Sequence, residues 1–231
     1  RMRNNIKYVN WNTVSLTGWE NELENTEVLI NLAGKSVDCR YTNKNKQEIL
    51  KSRIDSTKIL NEAVLKCENP PKHWLNSSTA TIYRHSEDKQ MTENNGEIGN
   101  DFSMNVALSW EKAFFKTETP KTLKTALRTS IVLGKNGGAL IPLKTLAKFG
   151  FGGKQGKGNQ FVSWIHEEDF ARAIDFIIEK EMIGKVNVVS PKPIRNTDFM
   201  SKLRKAVSTP FGIPLNKTLL KIGSFFIRTE T

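Results

Sequence analysis

The stretch Lys72–Tyr83, KHWLNSSTATIY, decides the fold. It opens on apolar Trp74 and Leu75, then runs into the small hydroxyl residues Ser77, Ser78, Thr79 and Thr81 before the aromatic Tyr83. In an open parallel sheet, ligands sit just outside the carboxyl ends of the strands. A buried strand tipped with hydroxyls therefore puts donors and acceptors where a ligand would lie. Ser and Thr also end strands by bonding to their own backbone and starting a turn. The segment alone fits both readings, so its neighbours must separate them.

Upstream, EVLINLA at 27–33 is a continuous apolar run closed by Gly34, the pattern of a strand covered on both faces. Between the two strands, residues 44–66 carry Leu50, Ile54, Leu60 and Val64 at helical offsets, with Thr57 among them. Pro70 and Pro71 end that helix. Downstream come a polar loop over 84–100 and a helix over 103–115 with Val106, Trp110 and Phe114 on one stripe. TALRTSIVL at 125–133 reads as the next buried strand.

A glycine-containing loop at 134–138 leads to a helix over 139–149, with Pro142 in its first turn. A Gly/Lys-rich loop at 150–159 precedes a strand at 160–165, a helix at 166–180 and a strand at 185–189. A helix over 196–207 follows, and Asn196-Thr197-Asp198 offers cap chemistry at its start. Near the amino end, 6–11 alternates like a further strand and 13–25 reads as a connection with one helical turn; 214–227 is an apolar tail. Strand and helix in alternation predict an α/β fold, a parallel sheet with helices on both faces.

A chain of 231 residues suits one large domain, or one domain with a small appendage. No apolar run approaches the roughly 20 residues needed to cross a bilayer. Residues 1–12 are polar and basic without an apolar centre, so no secretory leader is expected in them. Cys39 and Cys67 lie in no metal-ligand spacing, which fits a reduced, cytoplasmic chain without zinc. The net charge of +11 raises nucleic-acid binding as a class, but the lysines are scattered and form no block with interleaved aromatics. Anionic small ligands, or a solvated lysine-rich surface, account for the charge equally well.

Several segments, in order, resemble the extended short-chain dehydrogenase/reductase superfamily. They are most similar to its atypical NAD-dependent epimerase/dehydratase, sugar-nucleotide-epimerase-like branch. Asn31-Leu32-Ala33-Gly34 resembles the motif after the family's fourth Rossmann strand, where glycine lets backbone approach the dinucleotide. Residues 52–57, SRIDST, resemble a helix motif of the branch, and Arg53 falls where ordinary members carry an Asn near the active site. Residues 77–83 resemble the active-site strand, with Thr79 at the catalytic Ser/Thr position. Trp110-Glu111 resembles a helix signature of the branch. Residues 128–134 with Gly137–Leu140 resemble the segment lining the nicotinamide, and Ser163–His166 with Asp169 a motif before the substrate subdomain.

The resemblance implies a Rossmann-like doubly wound sheet with a small C-terminal substrate subdomain. The division expected is a cofactor-binding core over 1–135 and, over 136–231, remaining core elements interleaved with that subdomain. It implies NADP or NAD as cofactor and a nucleotide-linked sugar or similar small molecule as substrate. The partners expected are that substrate and, as one option, a second copy in a homodimer, with neither nucleic acid nor membrane. The residues implied at the cofactor are Asn31, Ala33, Gly34, Arg53, Ser77, Ser78, Ile131, Val132 and Leu133, with Thr79 and Tyr83 as catalytic candidates.

Two departures stand out. No glycine-rich phosphate loop follows a strand near the amino end, so 6–11 would be the family's third strand and the chain reads as an internal piece of a longer protein. The Tyr-x-x-x-Lys pair, a phenol and an ammonium one helical turn apart, is absent; Ser103 and Ala107 hold the equivalent positions. A lysine beside a tyrosine lowers the phenol's pKa for acid/base work, and nothing at 103 and 107 can do so. A catalytically degenerate dinucleotide-binding module is therefore the alternative to an enzyme.

Each candidate has a plainer role beside the functional one. Thr79 either orients a substrate oxygen or closes the strand. Tyr83 either supplies the missing phenol or packs in the cleft wall. Arg53 either meets a phosphate or carboxylate, which its planar fork suits, or lies on the surface. His166 is either an acid/base or a satisfied residue ahead of a helix.

Overall fold

The computed structural model describes residues 2–3 and 6–216. Its centre is a parallel sheet of four strands: β1 (Val28–Asn31), β2 (His73–Thr79), β3 (Leu123–Thr129) and, last in sequence among them, the strand Gly184–Val188, in the spatial order Gly184–Val188, β3, β2, β1. The register pairs Asn31 with Asn76, Thr79 with Thr129 and Thr129 with Val188. All carboxyl ends consequently open at one rim.

Helices cover both faces. The helix α1 (Asn43–Lys66) and the helix α2 (Phe102–Phe115) lie on one side, where Leu60, Ala63, Val64 and Phe114 pack on Trp74 and Ala126. Trp74 meets Phe114 edge-on, with centroids 4.9 Å apart. The other face, with Leu75, Leu127 and Val188, is covered by Ile174 and Ile177 of the helix Glu167–Glu179. Each such apolar side chain contributes about 1.5–3 kcal/mol when fully buried. This is a doubly wound, Rossmann-like arrangement.

Past the central strands the chain builds a smaller layer. The strand β4 (Ile131–Gly134) pairs parallel with Trp164–His166 and antiparallel with Gly137–Gly138. The helix α3 (Leu140–Leu146) and a π-turn at Ala147–Phe151 pack against the helix Asn196–Ala206 through Ala147, Met200 and Leu203. Gly150 sits at φ 81° against the Phe211 ring, a left-handed conformation that glycine adopts without steric cost.

Four local expectations change. The run 125–133 is two strands in different sheets, because Ser130 turns away and its N–H and hydroxyl both reach Val188 O, at 3.1 and 3.3 Å. Residues 6–11 contribute only Ile6–Lys7, paired antiparallel with Met2–Arg3 and apart from the four-stranded sheet; Ile6, Tyr8 and Val9 are exposed, and Trp11 instead packs edge-on against Trp19 at 5.2 Å. β1 is not covered on both faces among the described residues: Ile30 is exposed, and so is Leu32 just beyond it. Asn196 does not cap its helix; it accepts from Gln155 N–H at 2.8 Å and holds the Gly/Lys-rich loop. The apolar tail expected at 214–227 lies outside the described residues from 217 onward.

Candidate functional site

A cleft of about 370 Å³ opens at the rim, beyond the carboxyl ends of β1 and β2 and beside α2. The β1 exit supplies Leu32, Ala33 and Gly34, α1 supplies Ile49 and Arg53, the β2 tip supplies Ser77, Ser78 and Thr79, the turn after it supplies Thr81, and α2 supplies Ser103, Ala107 and Trp110. Tyr41 and Phe102 complete one wall, edge-on to each other at 5.5 Å.

The rim is fixed by side-chain bonds between strands. Asn31 donates from Nδ2 to Asn76 Oδ1 at 2.7 Å, while its own Oδ1 accepts the Ala33 N–H at 3.0 Å. The Ala33–Gly34 backbone is thereby held at the cleft mouth. Its residues are small, so ligand atoms can approach the main chain. A Cβ on Gly34 would lie only 3.2–3.3 Å from the Arg53 side chain.

Arg53 is half-buried. Its Nη1 donates to Lys35 O and Ile49 O, both at 3.0 Å, and its guanidinium lies 5.2 Å from the Trp110 ring. Trp110 in turn donates from Nε1 to Thr57 Oγ1 at 2.9 Å, and Thr57 donates to Arg53 O at 2.8 Å. Burial pulls the Arg53 pKa down, opposed by the nearby Tyr41 phenol.

Beneath the β2 tip lies a buried ionic network that sequence reasoning missed. Arg128 grips Glu111 in a two-pronged pair, Nε to Oε1 and Nη2 to Oε2, both at 2.8 Å. Ser78 donates to Glu111 Oε1 at 2.8 Å. Arg128 Nη1 donates to the Tyr83 hydroxyl at 2.7 Å, and that hydroxyl donates to Asn187 Oδ1 at 2.8 Å. The available signals were a charged residue, Arg128, inside a run read as a buried strand, and Glu111 beside Trp110 on the buried stripe of α2.

Asn31, Ala33, Gly34, Arg53, Ser77, Ser78 and Thr79 thus gather at one rim. Thr79 accepts the Thr81 N–H at 3.1 Å and donates to Thr81 Oγ1 at 2.9 Å, so its hydroxyl also shapes the turn after β2. Tyr83 does not line the cleft; its phenol is enclosed between Arg128 and Asn187. Ile131, Val132 and Leu133 lie in β4, which continues from the β3 end, and none lines the cleft. His166 accepts the Glu168 N–H through Nδ1 and caps the helix behind it. Among the described residues no group of His, Cys, Asp and Glu could hold a metal ion, and no helix is long and apolar enough to cross a membrane.

No family model matches the chain. It is 35% identical over 218 residues to the epimerase family protein YfhF of Bacillus subtilis, covering 94% of this chain and 71% of that protein. It is also 35% identical over 207 residues to an epimerase family protein of Staphylococcus aureus, covering 89% and 68%. Among solved structures, it is similar to human epimerase family protein SDR39U1 (isoform 2), crystallised with NADPH. That likeness has 28% identity, covers 88% of this chain and 72% of the other, and has a TM-score of 0.81. A UDP-glucuronic acid 4-epimerase from Bacillus cereus, in complex with a fluorinated UDP-sugar and NAD, shares the fold at 20% identity, with 87% and 66% covered and a TM-score of 0.73.

Proposed function

Because the chain belongs to the epimerase family, of the extended short-chain dehydrogenase/reductase type, we propose that it binds NADP or NAD at the β1–β2 rim and acts on a nucleotide-linked sugar or similar small molecule there. The observation that carries this reading is the position of the cleft. The small Ala33–Gly34 turn and the hydroxyls of Ser77, Ser78 and Thr79 face one space at the carboxyl ends of adjacent parallel strands. Small residues allow a flat ring to lie against the backbone, and hydroxyls fix its polar edge. The 370 Å³ cleft suits the nicotinamide half of a dinucleotide. Bound there, the cofactor would supply hydride transfer.

The chain's own residues then divide the work. Glu111 accepts the Ser78 proton, so towards a ligand Ser78 offers lone pairs and recognises a donor. Thr79 and Thr81 form the hydroxyl pair that would orient the reacting oxygen. The apolar wall of Ile49, Val106 and Trp110 keeps water from the reacting atoms. In the full-length protein, NADPH and NADH titrations followed by fluorescence test the cofactor, and a panel of UDP- and dTDP-sugars tests turnover. Saturable binding is expected, with Thr79→Ala lowering turnover about 10²-fold or more. No binding of either nucleotide would end the proposal.

One observation favours a second reading, a binding module without turnover. Among the described residues the cleft lining contains no His, Lys, Asp or Glu, and Ser103 and Ala107 present only a hydroxyl and a methyl. Tight nucleotide binding without any turnover across the panel would select that reading.

A further inference from the structure

The cleft carries more apolar surface than a sugar site can use. Leu32 and Val37 line it while 64% and 50% exposed, and Tyr41 and Phe102 add a wall of two aromatic rings. Phe102, the first residue of α2, is touched edge-on by Tyr41, and Lys46 Nζ lies 5.1 Å from its ring centre. Large apolar side chains left open around a cleft mark a surface that a ligand covers. The polar capacity of the same cleft is small. Every hydroxyl of a sugar ring brings a proton that needs an acceptor, and carboxylate and amide oxygens accept without having a proton of their own to place. Among the described residues the lining has no carboxylate and no side-chain amide, and its Arg53 has donors only. The hydroxyls are largely committed to each other. Ser78 gives its proton to Glu111, and Thr79 gives its own to Thr81 Oγ1 while accepting the Thr81 N–H. The Thr81 hydroxyl, accepting from Thr79, keeps its proton for one ligand oxygen.

We propose that the substrate of this cleft has an apolar body, packed against Leu32, Val37, Tyr41 and Phe102, and one carbonyl or alcohol oxygen bonded to the Thr81 hydroxyl. The inference rests on the reading of the rim as an NADP or NAD site and narrows the substrate named there. Within that class it selects a small apolar molecule with a single oxygen function over a polyhydroxylated sugar. A sugar would bury several hydroxyls that find no acceptor, at a cost for each, whereas an apolar body covers side chains that otherwise face water.

The test measures equilibrium binding to the full-length protein by calorimetry, with NADP+ and without it; NADP+ cannot reduce a ketone, so the probes stay intact. The probes are straight-chain methyl ketones, from methyl ethyl ketone to methyl hexyl ketone, with UDP-glucose as the polyhydroxylated comparator. Affinity should rise about fourfold for each added CH₂, and the longest ketone should bind more tightly than UDP-glucose. Leu32→Asn combined with Val37→Asn should weaken methyl hexyl ketone about tenfold and leave methyl ethyl ketone and NADP+ nearly unchanged. Both side chains are exposed, so the fold should tolerate the change, which circular dichroism checks; if the double variant does not fold, the single variants decide. A flat ketone series, no ketone binding, tighter binding of UDP-glucose, or a series that rises equally in the variants overturns the inference. NADP+ binding alongside any of these results leaves the cofactor reading standing. A rising series with the expected response in the variants but no NADP+ binding keeps the apolar seat and ends the cofactor reading.

Discussion

His73 shows how much a single side chain can report. It is buried at the start of β2, with Nε2 2.8 Å from Thr125 Oγ1. Thr125 spends its own proton on Met182 O, so the imidazole must donate from Nε2 and carry its lone pair on Nδ1. That Nδ1 has no hydrogen-bond partner among the described residues. Protonating it would bury an N–H with no acceptor, and burial indeed lowers the His73 pKa, opposed by the Met182 carbonyl and the charge of Glu181. With the folded value below that of the unfolded chain, the unfolded state binds more protons as pH falls through the ordinary histidine range near 6.5. Stability should therefore decline on acidification from pH 7 to 5, read as a falling urea midpoint, and His73→Phe should flatten that slope. The Glu111–Arg128 pair makes a stronger claim. Removing one partner leaves a buried charge alone, so Arg128→Met is expected to cost about 3–5 kcal/mol. The double variant with Glu111→Leu should cost less than the sum of the singles in a double-mutant cycle.

At the scale of elements, α2 carries one wall of the cleft, and its first turn is closed by Asp101, whose side chain accepts the Met104 N–H at 2.8 Å. Asp101→Ala should cost about 1 kcal/mol in chemical denaturation, with any ligand affinity reduced only as far as the Phe102–Val106 turn frays. The principal strands and helices were legible from periodicity, since Val106, Trp110 and Phe114 fall on one buried stripe as their spacing requires. The break between β3 and β4 was not. Neither Gly nor Pro marks it, and the turn is made by Ser130 reaching a strand 58 positions away. Tyr83 was misleading for a related reason: its neighbours in sequence belong to the rim, but the partners of its hydroxyl are Arg128 and Asn187. Hydroxyl tips and small turns are local and readable, whereas the ionic network depends on which strands lie side by side.

For the whole molecule, the doubly wound order brings the Ala33–Gly34 turn, the β2 tip and α2 to one rim although they are far apart in sequence. A ligand seated there touches several elements at once and should raise the unfolding temperature. At 100 times its dissociation constant it would add about 2.7 kcal/mol, and differential scanning calorimetry with and without NADPH would detect this. The hydroxyl of Tyr83 accepts from Arg128 of β3 and donates to Asn187, 104 positions on in the strand Gly184–Val188, while Ser78 answers to the same carboxylate that holds Arg128. Softening at either place must loosen the other. In hydrogen exchange, the ladder amides of β2 and of the strand Gly184–Val188 should therefore open with one shared free energy, making three strands of the rim a single mechanical latch.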